Sequence, residues 1–357
     1  MTNNMTTNAH KNGSDLPSLG WKPHFAQQLT IEETSDARPV RVVAVHRSEL
    51  HVIGEGFEAV VHPIRTDDEE DRATIGDWLL LEKETNRIIK RLDRFSVFKR
   101  RAPGSGRSVQ LIAANVDTLM IVSSCNDDFN IARIERYLAV AREAEVTPIV
   151  ILTKADLADA PEDYRRAAEK LMPMLLVETL DAKDKMEVAA LNAWCGPGQT
   201  IAFVGSSGVG KSTLTNSLLG GHEIATQAIR EDDAKGRHTT THRALYQLPA
   251  GGWVLDTPGI RELQLTDVAD GISELFGDLE ELVAQCRFHD CQHVTEPGCA
   301  VRAALEDGSL DESRFKRWQK LLAENERNSL SLAQVRAKDK SFTKMVNRTM
   351  KGKPNRR

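Results

Sequence analysis

The sequence predicts a multi-domain chain: a small N-terminal β-barrel, a central α/β domain of the P-loop type, and a C-terminal, mainly helical module built on a metal. Three observations carry this. Residues 200–219 read as strand, glycine loop and helix, the context a phosphate-binding loop requires. Strand and helix patterns alternate from Val116 to Leu265, which predicts a mostly parallel sheet covered on both faces. Three cysteines and a histidine fall within residues 286–299 at metal-ligand spacing. The expected division is a disordered extension (1–37), the barrel (38–100), the P-loop domain (101–270), the metal module (271–335) and a basic flexible tail (336–357).

Composition narrows the class. The chain has 357 residues, 40% hydrophobic and 28% charged, with a net charge of -5. That balance argues against a uniformly basic nucleic-acid binder, so charge is read locally. No apolar run approaches the ~20 residues of a membrane helix. The N-terminus has no signal-peptide core, which predicts a cytosolic protein without membrane contact. No self-association seam is visible, and a monomer is expected. Cys125 and Cys195 stand apart from the cluster and read as inert packing residues.

Along the chain, residues 1–36 are rich in Asn, Thr, Ser, Lys and Asp, and read as mostly disordered. Trp21, Phe25 and Leu29 fall at helical spacing, so the stretch is either a silent arm or a short docking segment. Val40–Val45, Leu50–Ile53, Phe57–Val61, Trp78–Leu81 and Arg87–Ile89 are short β-rich runs, as in a small barrel of OB or SH3 type. From Lys83 to Arg107 there are nine Lys/Arg against Glu84 and Asp93, with Phe95 and Phe98 interleaved. This reads as an RNA platform or as a solvated linker. Beyond it, strands are expected at Thr118–Ser123, Pro148–Thr153, Met174–Val177, Ile201–Val204 and Trp253–Asp256. Helices are expected at Ile131–Glu145, Glu162–Met172 and Lys185–Ala193.

The phosphate loop is Gly205, Ser206, Ser207, Gly208, Val209, Gly210, Lys211, Ser212, with Thr213 opening the helix. Its glycines let backbone N–H groups turn inward onto phosphate oxygens. Lys211 would reach the β- and γ-phosphates, and the Ser212 hydroxyl would bind Mg²⁺. At the end of a later strand, Asp256-Thr257-Pro258-Gly259 offers a carboxylate for the Mg²⁺ shell and the Gly259 N–H for the γ-phosphate. Thr153-Lys154-Ala155-Asp156 follows another strand. Asp156 can accept from both N1–H and the 2-amino group of guanine, a donor pair adenine lacks, while the Lys154 stem lies along the base. Between the phosphate loop and Asp256 runs Gly236-Arg237-His238-Thr239-Thr240-Thr241-His242-Arg243. A threonine there, Thr240 by preference over its neighbours, can complete the Mg²⁺ shell when a γ-phosphate is present.

The order of these motifs is permuted. In Ras-like enzymes the guanine motif comes last; here residues 153–156 precede the phosphate loop and residues 256–259 end the series. A site needs proximity rather than chain order, so a circular permutation can rebuild it. The permuted order together with GSSGVGKS, GRHTTTHR and DTPG resembles the ribosome-small-subunit-dependent GTPases of bacteria, the RsgA (YjeQ) family, over about residues 38–335. The resemblance implies an OB-fold, a permuted GTPase domain and a zinc module. It also implies GTP hydrolysis stimulated by the 30S subunit and its rRNA, and a role in late maturation of that subunit.

The metal module also stands on its own residues. Cys286, Cys291, His293 and Cys299 supply three thiolates and one imidazole, a complete tetrahedral set for a structural Zn²⁺. Asp290 and Glu296 are candidate outer acceptors or plain surface groups. After it, Leu310–Leu332 reads as a helix with Phe315, Trp318, Leu321 and Leu322 on one side. From Arg336 to Arg357, nine Lys/Arg face a single acid, Asp339, as in an RNA-binding or solubilising tail.

Two departures matter. Ras-like enzymes place a water-orienting glutamine after the DxxG glycine; here that position is Ile260, which cannot hold a water. His238 is the candidate replacement as catalytic residue, or it only shapes its loop. The backbone contact to guanine usually made by a Ser-Ala motif is unassigned within Glu178–Ala182. A different class of protein, an RNA-binding assembly scaffold with a structural nucleotide, fits the same basic segments.

Overall fold

The computed structural model describes residues 15–46, 49–64, 66, 68–101, 109–220, 243–256 and 268–329. The chain divides into two compact units, residues 1–99 with 111–263 and residues 100–110 with 264–357. No helix among the described residues is long and apolar enough to cross a membrane.

The first unit is organised by one mixed sheet. Strands β1 (Ala37–His46), β2 (Glu49–Gly54), β3 (Phe57–Val61), β4 (Trp78–Glu82) and β5 (Ile88–Arg91) pair antiparallel and form the OB-type barrel. The β1 ladder is shared: Ala37 to Arg41 pair with β4, and Arg41 to His46 with β2. Val40, Val42, Leu50, Val52, Leu79 and Leu81 fill its core, as alternation in half-buried strands requires. β6 (Val97–Arg101) and β7 (Val109–Ala114) form a separate two-stranded pair that spans residue 100, where the sequence places the barrel's end.

The α/β part follows. Strands β8 (Thr118–Ser124), β9 (Thr147–Thr153), β10 (Leu176–Thr179), β11 (Thr200–Val204) and β13 (Trp253–Asp256) run parallel in the order β10-β9-β8-β11-β13. β12 (Arg243–Gln247) lies antiparallel to β13 and also pairs with β1 at Ala44↔Ala244 and Val45↔Arg243. One continuous sheet therefore runs from the P-loop strand into the barrel. β8 is buried along its whole length, which suits a central parallel strand with both faces covered. Helices α1 to α6 of this unit are Pro23–Ala26, Ile31–Asp36, Ile131–Glu143, Pro161–Glu169, Lys185–Ala189 and Lys211–Leu218. α3 starts at an Asn130 cap, whose side chain accepts the Arg133 N–H, and buries Ile134, Tyr137 and Leu138.

Two expectations are corrected here. Residues 15–36 are folded, not disordered. Pro17–Leu19 forms a 3₁₀ turn, and α1 and α2 follow, α2 opening on a Thr30/Glu33 capping box. Leu19 and Phe25 are buried, and the Trp21 ring stands edge-on to Trp78 with centroids 4.8 Å apart. Polar groups tie this strap to the sheet. Lys22 pairs with Asp117, whose other oxygen accepts the Thr200 N–H at 2.8 Å. The buried Arg41 guanidinium donates to Leu19 O (2.8 Å) and to Thr200 Oγ1 (2.6 Å), and Trp253 Nε1 donates to Ser18 O (3.0 Å). Burial draws the Arg41 pKa down to about 10, against the opposing pull of Asp117. Burying one Phe or Leu contributes about 1.5–3 kcal/mol, whereas ordering the strap costs roughly 1–2 kcal/mol for each residue, so several buried side chains and the polar ties act together.

The second correction concerns Lys83 to Arg107. Its described part, residues 83–101, is not a linker, since β5 and β6 lie within it, and both aromatic rings are packed. Phe98 is buried, and Phe95 lies 5.9 Å from the Phe25 ring with Lys22 Nζ 3.9 Å above it.

The second unit holds α7 (Ala269–Leu275), α8 (Gly277–Ala284), α9 (Ala300–Glu306) and α10 (Glu312–Ser329). Ile272, Phe276, Leu279, Val301, Phe315 and Trp318 are buried. Asn325 Oδ1 accepts the Val268 N–H at 3.1 Å, fixing the start of α7 to α10.

Candidate functional site: a phosphate loop and a metal centre

The glycine loop leaves the end of β11 and closes into α6. Gly205 (φ +137°), Gly208 (φ +81°) and Gly210 (φ +100°) take up backbone conformations that side-chain-bearing residues avoid. Gly205 is also sterically obligatory, because a Cβ there would stand 2.1 Å from Val122 O of the neighbouring strand. Val209 is buried and anchors the loop, while Ser207, Gly208, Ser212 and Thr213 are exposed and Ser206 and Gly210 half-buried. Lys211 is largely buried; its Nζ donates to Gly205 O at 2.7 Å and also contacts Ser206 O, which sets the ammonium within the loop.

β9 and β13 bring two further motifs to the same sheet edge. Thr153 Oγ1 lies 2.6 Å from Val209 O and 3.1 Å from Ser123 O, so its one proton is shared between the glycine loop and β8. Lys154 follows in a left-handed conformation (φ +59°) and turns the chain into a short 3₁₀ helix carrying exposed Asp156. Asp256 ends β13, which is parallel to β11. Thr153, Lys154, Asp156, Asp256 and residues 205–213 are thus gathered at the carboxyl ends of neighbouring strands, where open α/β sheets bind ligands. His238, Thr240, Gly259 and Ile260 lie outside the described residues, as does the tail from Arg336.

A nearby segment escaped assignment from sequence. Ala182 lies 3.7 Å from the point a Cβ on Gly210 would occupy, and its carbonyl accepts from Ser217 Oγ at 3.1 Å. The loop after β10 therefore adjoins the phosphate loop. Its local residues carry no signature; strand order alone could have found it.

The candidate metal centre lies in the second unit. Cys286, Cys291, His293 and Cys299 each direct a ligand atom into one group, all within 4.8 Å of one another. Cys286 Sγ is 3.9 Å from Cys299 Sγ and 3.6 Å from His293 Nδ1, and His293 Nδ1 is 3.4 Å from Cys299 Sγ. A tetrahedral zinc with bonds of ~2.3 Å to sulfur and ~2.0 Å to nitrogen would set these edges at ~3.8 and ~3.5 Å. Cys286, His293 and Cys299 match these edges, and Cys291 lies within 4.8 Å of them, so the four donors could hold such an ion. Glu296 braces the backbone beside the ligands. It accepts backbone N–H groups of Gln292 (3.0 Å), Val294 (2.9 Å) and Thr295 (3.0 Å), and so shapes the turn bearing His293. Backbone N–H groups, its own foremost, hold its carboxyl down at about 2. Burial lowers the His293 pKa, which favours the neutral, ligating ring. Phe315 and Trp318 stand beside that ring, with centroids 6.2 and 6.4 Å away. The two cysteines outside the cluster are unreactive by position: burial pushes Cys125 up to about 11 and Cys195 to about 12.

A glycine loop at a parallel strand's end, with its guanine motif upstream in the chain, defines a circularly permuted P-loop GTPase fold. The chain belongs to the RsgA GTPase family, a family of GTP hydrolases. The family model for the RsgA GTPase matches residues 91–266. A Vibrio parahaemolyticus protein named small ribosomal subunit biogenesis GTPase RsgA 2 is 50% identical over 341 residues, covering 96% of this chain and 94% of that one. A Mesorhizobium japonicum protein named small ribosomal subunit biogenesis GTPase RsgA is 51% identical over 319 residues, 88% of this chain and 91% of its own length. Among solved structures, YjeQ from Thermotoga maritima aligns with a TM-score of 0.60 at 27% identity, over 81% of this chain and 98% of that one. YloQ, described as a circularly permuted GTPase, aligns at 0.56 and 22% identity over 82% and 96%, a likeness of fold.

Proposed function

We propose that this GTPase acts in biogenesis of the small ribosomal subunit, binding the 30S particle through its rRNA and hydrolysing GTP to time its own release. The relatives named above support the process. The observation that carries the chemistry is the braced loop: Thr153 fixes Val209, and Lys211 sits within a backbone shaped by Gly205 and Gly210. In this reading Lys211 neutralises the β- and γ-phosphate oxygens, while residues 205–213 donate backbone N–H groups and Asp156 selects guanine. Ser212 and Thr240 would hold Mg²⁺, with Asp256 in its outer shell and Gly259 on the γ-phosphate. Mg²⁺ supplies charge neutralisation when bound. His238 orients the attacking water in place of the side chain that Ile260 lacks.

GTP orders residues 230–243 and the segment after Gly259, and hydrolysis releases them. The structural metal is Zn²⁺ on Cys286, Cys291, His293 and Cys299. The basic tail supplies further phosphate contacts, and the protein works as a cytoplasmic monomer. The division into extension, barrel, GTPase domain, zinc module and tail is proposed with one change: residues 15–36 belong to the barrel and GTPase unit.

GTP turnover measured alone and with purified small subunits tests this. A large stimulation specific to small subunits is the expected result. Slow turnover, unchanged despite tight subunit binding, would sink the timing role and leave a scaffold. His238→Ala is expected to abolish most of the stimulation while leaving GTP affinity intact.

A further inference from the structure

Two cations, Arg91 on β5 and Lys99 on β6, meet an acidic loop that the fold itself holds in place. Arg94 is the clasp. Its Nε and Nη2 donate to the fully buried Asp77 carboxylate at 2.8 and 2.9 Å, and Asp77 also accepts the Thr74 N–H at 2.7 Å. The same guanidinium reaches outward to Glu70 O and Arg72 O, both at 2.8 Å. Its donors thus fix the backbone of residues 70–72. So held, Glu70 lies 3.8 Å from Lys99 Nζ and Asp71 lies 3.6 Å from Arg91 Nη2. These two carboxylates are 57% and 64% exposed. The loop backbone is firmly bonded, whereas its contacts with Lys99 and Arg91 are long, exposed and readily exchanged.

We propose that residues 68–71 are an electrostatic cover over an RNA-docking face of the barrel that includes Arg91 and Lys99. Phosphates of a correctly shaped RNA displace Glu70 and Asp71 from the two cations. A polyanion that cannot make that exchange meets Asp68, Glu69, Glu70 and Asp71 and is repelled. Discrimination of this kind uses a built-in penalty rather than an added attraction. RNA is the favoured partner because two cations, met by the consecutive carboxylates of Glu70 and Asp71, suit phosphates along one strand. The inference rests on the rRNA reading above.

The test is the full-length variant D68N/E69Q/E70Q/D71N, assayed with labelled poly(U) and with small subunits across a salt series. Poly(U) affinity should rise on the order of tenfold at low salt. The log–log salt slope should steepen by about 1.4, for two more phosphates at ~0.7 each on single strands. E145Q/E162Q/D163N/E169Q, which removes equal charge from another surface, should not reproduce this. Adding R91A and K99A should cancel the gain. Basal GTP turnover should be unchanged in all these variants. A gain matched by the control, or one that survives loss of Arg91 and Lys99, overturns the cover. An equal gain for polyglutamate overturns the RNA assignment. A gain on small subunits as large as that on poly(U) overturns the discrimination, whereas a gain on poly(U) with no small-subunit binding by any variant or the parent upholds the cover and removes the subunit from the proposed function.

Discussion

The glycine loop and the cysteine loop are both short turns that prepare a place for a charged guest, and they are held in opposite ways. Residues 205–210 are set by their surroundings: Val122 O blocks any Cβ at Gly205, Thr153 grips Val209 O, and buried Val209 anchors the turn. Residues 286–299 are mostly exposed apart from Cys299, and their long-range organisation comes from four converging donor atoms. A loop held by a sheet keeps its shape whatever it binds. A loop held by ligand atoms has no comparable core, so its stability is that of its metal.

The largest expected effect follows from the cysteine loop. Binding of a structural zinc is worth about 10 kcal/mol or more, so chelation should strip protection from amides in 286–299 and α9. GTP binding should survive it. Equal loss of hydrogen-exchange protection in the glycine loop would break the contrast. Next comes Gly205→Ala, which combines backbone strain with a clash against Val122 O and should cost about 3 kcal/mol, read by thermal or urea melts. Lys211→Ala is of similar size but of another kind. It should weaken GTP about a hundredfold, since losing a buried charge partner costs about 3 kcal/mol, while the melting temperature holds. Gly208→Ala sharpens the point: its Cβ would meet open space, so only strain of about 1 kcal/mol remains. Smallest is Thr153→Val, which removes one buried hydrogen bond worth about 1 kcal/mol and should raise the Kd for GTP several-fold. If Thr153→Val proved as damaging as Gly205→Ala, the brace rather than the steric block would set the loop.

Much of this was legible in the sequence because it depends on short-range constraint. The phosphate loop, TKAD and the Cys/His set are local patterns whose chemistry fixes their spacing. The strands at 118–123, 148–153, 201–204 and 253–256 were legible because continuous apolar runs mark buried parallel strands. What escaped depends on distant partners. The strap's helices of four and six residues are too short to show a period, and Phe25 is buried only because Trp78 and Phe95 receive it. β12 is a five-residue strand that hairpins onto β13, but its other neighbour, β1, lies far upstream in the chain. The cations of Lys83 to Arg107 look alike in sequence. Only the fold separates Arg94, paired with buried Asp77, from Lys90, which meets Glu33 of the strap at 2.8 Å.

The pairing of β12 with β1 has a consequence for dissecting the molecule. β12 is flanked by strands on both sides, and one flank belongs to the barrel. A fragment starting after Ala114 would carry every GTPase motif, yet it would present the bare backbone of β12 to solvent. Unprotected strand edges recruit other strands, so such a fragment should aggregate or dimerise edge to edge. The barrel thus serves as the sheet's selvedge, finishing a border that would otherwise unravel into association with its own kind.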